Sequence, residues 1–419
     1  MHVVFIANAD YLADELPEFR QLCVGLVDEQ VQITRIVPAD AVRLARRGGD
    51  ALDRREADVG GGLRDREREG RSARRWDAMM DPADAGPSEG PLSNTPMLGR
   101  RLTWEASRYG VLNHRRLVRL GHVLADPPAP SGGASAGAPV SVIHALHRDV
   151  WSAAATLGEQ LDAAVIFRAA AWSDAHAAAQ LVRQLQPTRY MLAAAGEPLA
   201  TELRRCTQNL VQIETVFPGV HVQSPQYRQR APGDPVCVAV CGDGVLDDAY
   251  RAALGGIAQV VKKRPEAQFF FDTFRTDPHR LWREVERRGL LPNISFVPRG
   301  VGHRELLLKA DALMLPQVLG RNRGLTLQAM ACGLPVLAAA DPALDELTAD
   351  HTAWVLEQPD DMAWAETLER LIATPDDATD LGLRARAWVH EERLASDQIG
   401  RLLTLYRMMA GEPIGFVGR

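Results

Sequence analysis

The sequence predicts an α/β protein with two Rossmann-like domains that face a cleft. Three observations predict this fold class. Short apolar runs alternate with segments of helical spacing in both halves of the chain, which is typical of βα units. Residues 223–234, with prolines near their margins, separate the two halves. Residues 310–346 read without interruption as a strand, a loop, a short helix and a second strand.

Length and composition are those of a soluble two-domain protein. A chain of 419 residues is too long for one ordinary core, and a net charge of −6 gives no reason to expect nucleic acid as a partner. The five cysteines are odd in number and lie mostly in apolar runs, which favours buried reduced thiols over disulfides or a metal site. No run approaches the roughly 18 apolar residues that span a bilayer, so we expect a cytoplasmic protein with at most peripheral membrane contact.

The first half of the chain contains two βαβ units. Buried strands and helices are recognised by short apolar runs and by apolar residues at helical spacing, respectively. The predicted order is strand, helix, strand over residues 3–7, 17–27 and 31–37, and again over residues 140–144, 153–161 and 163–167.

Residues 43–139 interrupt this pattern. Their charged, Gly-rich and Pro-rich stretches cannot bury much apolar surface, so we predict loops inserted into the first domain. Within them, residues 100–124 carry an apolar stripe at helical spacing and predict one helix. Its other face is rich in arginine and histidine. We interpret that face as solvated, and the alternative is a patch that binds an acceptor or anionic lipids.

The second half opens with a strand over residues 236–240, a turn Gly242-Asp243-Gly244 and a helix that reaches residue 263. Further strands are predicted with helices between them. They cover residues 268–272, 294–297, 312–315, 335–339 and 354–356. We predict domains at residues 1–232 and 233–395, followed by a helical segment at residues 396–419.

The segment from residue 310 to residue 346 carries the strongest functional signal. Its first strand ends at Pro316, and Leu325, Leu327 and Met330 then recur at helical spacing until Gly333 stops the helix. The helix therefore begins just outside the carboxyl end of a parallel strand. Ligands bind at this place in open α/β sheets, because free N–H groups and a partial positive charge attract anions.

This segment resembles the nucleotide-sugar glycosyltransferases of the GT-B fold, especially the retaining family-four type (glycosyl transferases group 1). Those enzymes typically carry Glu-Gly-Phe-Gly-Leu, then Leu-Glu-Ala-Met-Ala-Cys-Gly, and then Pro-Val-Val-Ala. This chain has Gly324-Leu325, the run LQAMACG over residues 327–333, and PVLA over residues 335–338. The resemblance covers essentially the whole chain except residues 43–139.

The resemblance implies transfer of a sugar from a nucleotide-diphosphate sugar to a hydroxyl of a glycan, a lipid carrier or a small molecule. It implies no metal and no cofactor besides the donor substrate, and a last helix that returns to the first domain. The donor would contact the turn after residue 241, the turn after residue 297 and the start of the helix near residue 324. These candidate donor-binding residues are Gly242, Gly244, Arg299, Gly320, Arg321, Asn322, Arg323, Gly324, Leu325, Thr326, Gln328 and Glu346.

The chain departs from the family where charge matters. The family binds the donor diphosphate with an arginine and a lysine, and Asp243 and Asp247 stand at or near those positions. The family also places two glutamates eight positions apart, and the matching positions are Gly320 and Gln328. We expect Arg321 and Arg323, in an exposed loop, to replace the lost cations; the alternative is that both point to water.

Two functions therefore stay open from the sequence. One is an active glycosyltransferase, and the other is a catalytically inactive homologue that acts as a binding or scaffold protein. No catalytic residue is assigned. His176 lies in an alanine-rich helix and reads as a surface or packing residue, while His144 and His147, after the preceding strand, are weaker alternatives.

Overall fold

The computed structural model contains two parallel sheets, each flanked by helices. It describes residues 1–38, 100–104, 114–125, 138–185, 189–222, 234–273, 279–297, 303–317, 320 and 323–411. The first sheet has seven strands in the order β3-β2-β1-β4-β5-β6-β7, and the second has six in the order β10-β9-β8-β11-β12-β13. The predicted α/β class is confirmed.

The strands of the first sheet are β1 (His2–Ile6), β2 (Gln32–Pro38), β3 (Arg100–Trp104), β4 (Val142–Ala145), β5 (Ala164–Ala169), β6 (Tyr190–Ala194) and β7 (Gln212–Thr215). Those of the second are β8 (Cys237–Gly242), β9 (Gln268–Thr273), β10 (Ile294–Phe296), β11 (Ala312–Leu315), β12 (Val336–Ala339) and β13 (Trp354–Leu356).

The helices of the first half are α1 (Ala9–Asp28), α2 (His114–Ala125), α3 (Trp151–Leu161), α4 (Ser173–Val182) and α5 (Glu197–Thr207). Those of the second half are α6 (Asp248–Lys263), α7 (His279–Arg287), α8 (His303–Lys309), α9 (Arg323–Cys332), α10 (Asp361–Ala373), α11 (Pro375–Glu392) and α12 (Ala395–Ala410).

The second sheet has a core on both of its faces. Along β8, Val238 and Val240 belong to one buried cluster, while Ala239 and Cys241 belong to the other. Successive side chains of a strand point to opposite faces, so a strand covered by helices on both sides must be apolar throughout. The five cysteines are free, as expected, although two of them are only half-buried.

Residues 100–124, predicted as one helix, contain a strand and a helix, and residues 105–113 between them lie outside the described residues. Strand β3 pairs in parallel with β2, with Leu102 opposite Ile36, and α2 covers His114–Ala125. Helical spacing reports only local sequence. It does not reveal that the N–H and C=O groups at the edge of β2, far away in the chain, pair with residues 100–104 as a strand. The apolar stripe is correct farther on, where Leu117 and Leu120 are buried.

Helix α1 begins at Ala9, well before the predicted start at residue 17, so the expected loop after the first strand is wrong. Tyr11 is buried and packs edge-on against Phe19, with 6.1 Å between the ring centroids. Pro17 therefore lies inside the helix and not at its start.

Contacts between Cα atoms group the chain into two compact units. One comprises Met1–Ala9, Cys23–Ile166 and Tyr406–Arg419, and the other comprises Asp10–Leu22 and Phe167–Leu405. Within the first unit, Nδ1 of His144 lies 2.7 Å from the hydroxyl oxygen of Tyr406, which ties helix α12 to β4. The domain boundaries at residues 232 and 395 stay a prediction.

Candidate functional site

The second sheet brings the predicted loops together. Its strand order reverses between β8 and β11, which are hydrogen-bonded neighbours with Val240 opposite Met314. The turn that starts at Gly242 and the chain that leads to helix α9 both leave the sheet at these carboxyl ends. The backbone N–H of Asp243 donates to Oε1 of Gln317 over 3.0 Å, so the two loops are directly joined.

The carboxylates of the first turn are used to hold the turn itself. Oδ1 of Asp243 accepts from the Val245 N–H at 2.8 Å, and Oδ1 of Asp247 caps helix α6 by accepting from the Tyr250 N–H at 2.9 Å. Nε2 of Gln317 donates to the other oxygen of Asp247 over 3.0 Å. The acidic side chains therefore have structural partners at positions where the family places cations.

The two glycines of this turn are required by geometry. A Cβ atom at Gly242 would lie 2.5 Å from Oη of Tyr250 and 2.7 Å from Oε1 of Gln317. Gly244 has a φ of +77°, in the left-handed region that favours glycine. Bare backbone at this place is what a bound diphosphate would need, and the same glycines also satisfy the packing.

Gly320 occupies the position of the first family glutamate. Its φ is +60°, and a Cβ atom there would lie 2.9 Å from Cβ of Ala343. The Gly320 N–H donates to Oδ2 of Asp341 at 2.7 Å, and Oδ1 of Asp341 accepts from the Ala343 N–H at 3.0 Å. Gly320 is thus held by its hydrogen bond to Asp341, and a side chain at this position would be strained.

Arg323, the first residue of helix α9, is buried rather than exposed. Its side chain is 2% exposed, and Nη1 donates to Oδ1 of Asp345 at 2.8 Å and to Oε2 of Glu346 at 2.6 Å. The expectation of an exposed cation is therefore wrong for Arg323. The two carboxylates stand more than twenty positions later in the chain, so local sequence does not reveal that they meet this side chain.

Arg393 extends this group of charges. Its Nη2 donates to Oδ2 of Asp345 at 3.1 Å, and its guanidinium carbon lies 4.0 Å from the ring centroid of Phe217 and 4.6 Å from that of Trp388. Burial lowers the pKa of Arg393, although the carboxylate of Asp345 opposes this effect. We call Arg323, Asp345, Glu346 and Arg393 the buried ion cluster.

The buried ion cluster is not fully satisfied. Among the described residues, Nε and Nη2 of Arg323 and Oε1 of Glu346 are buried without a hydrogen-bond partner. Burial raises the pKa of the Glu346 carboxyl to about 7; Arg323 opposes this shift and Asp345 adds to it. Glu346 is thus an acid whose charge changes near neutral pH, and, although it is a candidate donor-binding residue, its side chain is buried.

The other candidate residues are distributed over helix α9 and its surroundings. Leu325 and Thr326 are buried in the helix, whereas Gly324 and Gln328 are half-buried. Arg299, Arg321 and Asn322 lie outside the described residues. Sequence reasoning missed Gln317, although a polar residue two positions after the end of a buried strand is a usable signal. It also missed Asp341, Asp345 and Arg393, which carry no comparable signal.

The histidines considered for catalysis have different surroundings. His176 is exposed on helix α4, which agrees with a surface residue. His144 is buried against Tyr406, and His147 lies beside Asn8 and Asp149. Among the described residues, no group of three or more His, Cys, Asp and Glu side chains is placed to hold a metal ion.

Comparison with known proteins agrees with this architecture. Residues 259–388 match the family described as "Glycosyl transferases group 1". Sucrose-phosphate synthase from Thermosynechococcus elongatus superposes with a TM-score of 0.68 at 16% identity, over 98% of this chain and 99% of that one. The chain therefore has the GT-B fold.

Other solved structures resemble this GT-B chain with slightly lower scores. HepE from Anabaena, solved with UDP and glucose, gives a TM-score of 0.65 at 9% identity over 96% of this chain and 98% of that one. A glycosyltransferase from Rickettsia africae ESF-5 also gives 0.65 at 9% identity, over 97% and 98%. A sequence search among curated proteins gave no match. The predicted resemblance to the glycosyl transferases group 1 family is confirmed over residues 259–388.

The matched residues 259–388 cover most of the second sheet and all of helix α9. They include Gly320, Arg323 and the two carboxylates that bind Arg323, but not the Gly242 turn. In the part of the chain that the structure describes, no helix is long and apolar enough to cross a membrane.

Proposed function

We propose that this GT-B protein transfers a sugar from a nucleotide-diphosphate sugar to a hydroxyl acceptor, and that the donor binds between the Gly242 turn and helix α9. The observation that carries the proposal is the link through Gln317, which joins these two loops at the point where the strand order of the second sheet reverses. Crevices at such points are where open α/β sheets bind ligands.

The chemistry required of this site is modest. The bond between the anomeric carbon and the diphosphate oxygen breaks, a bond to the acceptor oxygen forms, and the acceptor proton leaves with the nucleoside diphosphate. The N-terminus of helix α9 supplies free N–H groups and a partial positive charge for the leaving diphosphate. Arg321 stays a candidate phosphate contact, and no metal is part of the proposal.

UDP-sugars are the first donors to test, because HepE, which shares the fold, was solved with UDP and with UDP-glucose. The acceptor is proposed only as a glycan, a lipid carrier or a small molecule that bears a hydroxyl. We also propose that the protein works in the cytoplasm, where nucleotide sugars are available.

The sharpest test uses Gly324, the second residue of helix α9. Gly324→Asp places a carboxylate at the helix N-terminus, where it favours the helix by about 0.3–1 kcal/mol but repels a diphosphate. If the repulsion between this carboxylate and the diphosphate is about 1.4 kcal/mol or more, the affinity for UDP should fall at least about tenfold. Gly324→Asn has nearly the same size without the charge, and it should keep most of the affinity.

Binding is measured by titration calorimetry of the full chain with UDP, UDP-glucose, GDP and ADP. Equal loss of affinity in the Asp and Asn variants would show that size, and not charge, matters, and would move the diphosphate away from helix α9. If none of the four nucleotides binds the parent protein, the transferase proposal fails. The inactive homologue that acts as a scaffold would then be the better account.

A further inference from the structure

The first sheet has a strand reversal of its own. Its order changes direction between β1 and β4, which are parallel neighbours with Ile6 opposite Ala145. Asn8 follows the carboxyl end of β1, and His147 and Asp149 follow that of β4. A transfer reaction needs a place for two substrates, and the donor proposal uses only the reversal in the second sheet. The reversal in the first sheet is therefore the place to look for the second substrate.

Three polar side chains meet at this place. Nδ2 of Asn8 lies 2.9 Å from Nδ1 of His147 and 3.0 Å from Oδ2 of Asp149. The backbone N–H of Asp149 also points at Nδ1 of His147 over 3.3 Å. Asn8 is 8% exposed, so its amide is held inside the protein while it orients the other two side chains.

These contacts determine which ring nitrogen of His147 carries a proton. Two N–H donors, from the Asn8 amide and the Asp149 backbone, point at Nδ1, so Nδ1 of the neutral ring is an acceptor and the proton is on Nε2. In the doubly protonated ring, Nδ1 can donate to Oδ2 of Asp149, which is 3.3 Å away, and Nε2 keeps its proton. Nε2 is therefore a hydrogen-bond donor in both charge states.

The outward side of this group offers one donor and one acceptor. Among the described residues, Nε2 of His147 has no hydrogen-bond partner, and the His147 side chain is 18% exposed. The Asp149 side chain is 51% exposed, and its Oδ1 has a long contact of 3.8 Å to Nε of Arg148. A hydroxyl matches such a pair, because it accepts one hydrogen bond and donates another, whereas an anion would be repelled by Asp149.

We propose that Asn8, His147 and Asp149 form a hydroxyl-binding site that orients the sugar or polyol acceptor, a role that rests on the proposed transferase function. His147 donates through Nε2 to the acceptor oxygen, and Asp149 accepts from the same hydroxyl or its neighbour. Asn8 is a positioning residue that fixes the ring. Because Nε2 is protonated in this arrangement, His147 holds the acceptor and does not remove its proton.

The test separates the two ends of the imidazole ring. In His147→Asn the amide oxygen stands near the place of Nδ1, so the contacts to Asn8 and to the Asp149 backbone persist while the outward donor is lost. In His147→Gln the amide nitrogen reaches the place of Nε2 and keeps that donor. His176→Asn, on an exposed histidine of helix α4, is the matched control.

Two measurements are made on the full chain. Long-range ¹H–¹⁵N correlation of ¹⁵N-histidine-labelled protein should show Nε2 of His147 protonated and Nδ1 unprotonated in the neutral ring. Saturation-transfer difference spectra of methyl α-D-glucopyranoside, the probe acceptor, should show a saturable signal with the parent, His147→Gln and His176→Asn. That signal should be lost in His147→Asn.

UDP and UDP-glucose titrations on the same samples keep the two proposals distinguishable. If UDP binds but the probe signal is the same in His147→Asn as in the parent, the hydroxyl site is refuted and the transferase proposal stands. A proton on Nδ1 of the neutral ring, or no probe signal with the parent, also refutes it. If the probe signal depends on His147 but no nucleotide binds, the site stands as a sugar-binding site and the transferase proposal fails.

Discussion

The buried carboxyl of Glu346 should make the stability of this protein depend on pH in a defined window. The Glu346 side chain is 1% exposed, and burial raises its pKa from 4.5 to about 7 even though Nη1 of Arg323 lies 2.6 Å from Oε2. Between these two values the folded protein holds a proton that the unfolded chain has released. The free energy of unfolding therefore falls as the pH rises from about 4.5 to about 7, and it stays low above that.

The size of this effect follows from the same two values. The interval from 4.5 to about 7, at about 1.4 kcal/mol for each pH unit, corresponds to about 3 kcal/mol. The change Glu346→Gln removes the titration and keeps a neutral side chain of similar shape. Relative to the parent, the Gln variant should thus gain up to about 3 kcal/mol of unfolding free energy as the pH rises through this window.

Urea unfolding of both proteins at a series of pH values, followed by tryptophan fluorescence, gives this difference directly. Glu284→Gln is the control. Hydrogen bonds from Arg287 and Arg288 lower the pKa of Glu284 to about 2 in the folded protein. Glu284 is therefore ionised in both the folded and the unfolded protein over most of the window. The control difference should stay flat. A flat difference for Glu346→Gln as well would refute the reasoning, since it would mean that water or Arg323 fully compensates the buried charge.

Two further predictions concern the loops of the candidate donor site, and urea unfolding checks both. Gly320→Ala should cost about 1–2 kcal/mol for its left-handed backbone, plus a term for crowding against Ala343. Gly289→Ala, with a φ of +72° and nothing within 4 Å, should show the backbone cost alone, so equal losses at both glycines would contradict the crowding. Gln317→Leu should cost about 1–3 kcal/mol, because it removes the hydrogen bonds that Gln317 makes with the Asp243 N–H and with a carboxylate oxygen of Asp247. A Leu variant as stable as the parent would show that water replaces both hydrogen bonds.

Most elements of the second half can be predicted from the amino-acid sequence alone. Strands β8, β11 and β12 were predictable because each is buried on both faces and must therefore be a continuous apolar run. The end of helix α9 was predictable because Gly333, with a φ of +84°, can adopt the backbone that stops a helix. The βα alternation then placed the Gly242 turn and helix α9 at carboxyl ends of strands.

The contacts of the polar residues at those ends depend on three-dimensional packing that the sequence does not reveal. The sequence around Arg323 is that of an exposed loop. Its side chain is nevertheless buried, because the strand order brings Asp345 and Glu346 next to it. Asn8 and His147, likewise, lie far apart in the chain and meet only because β1 and β4 are neighbours. Periodicity reports which face of an element is buried, whereas the partner of a polar side chain depends on which strands are adjacent.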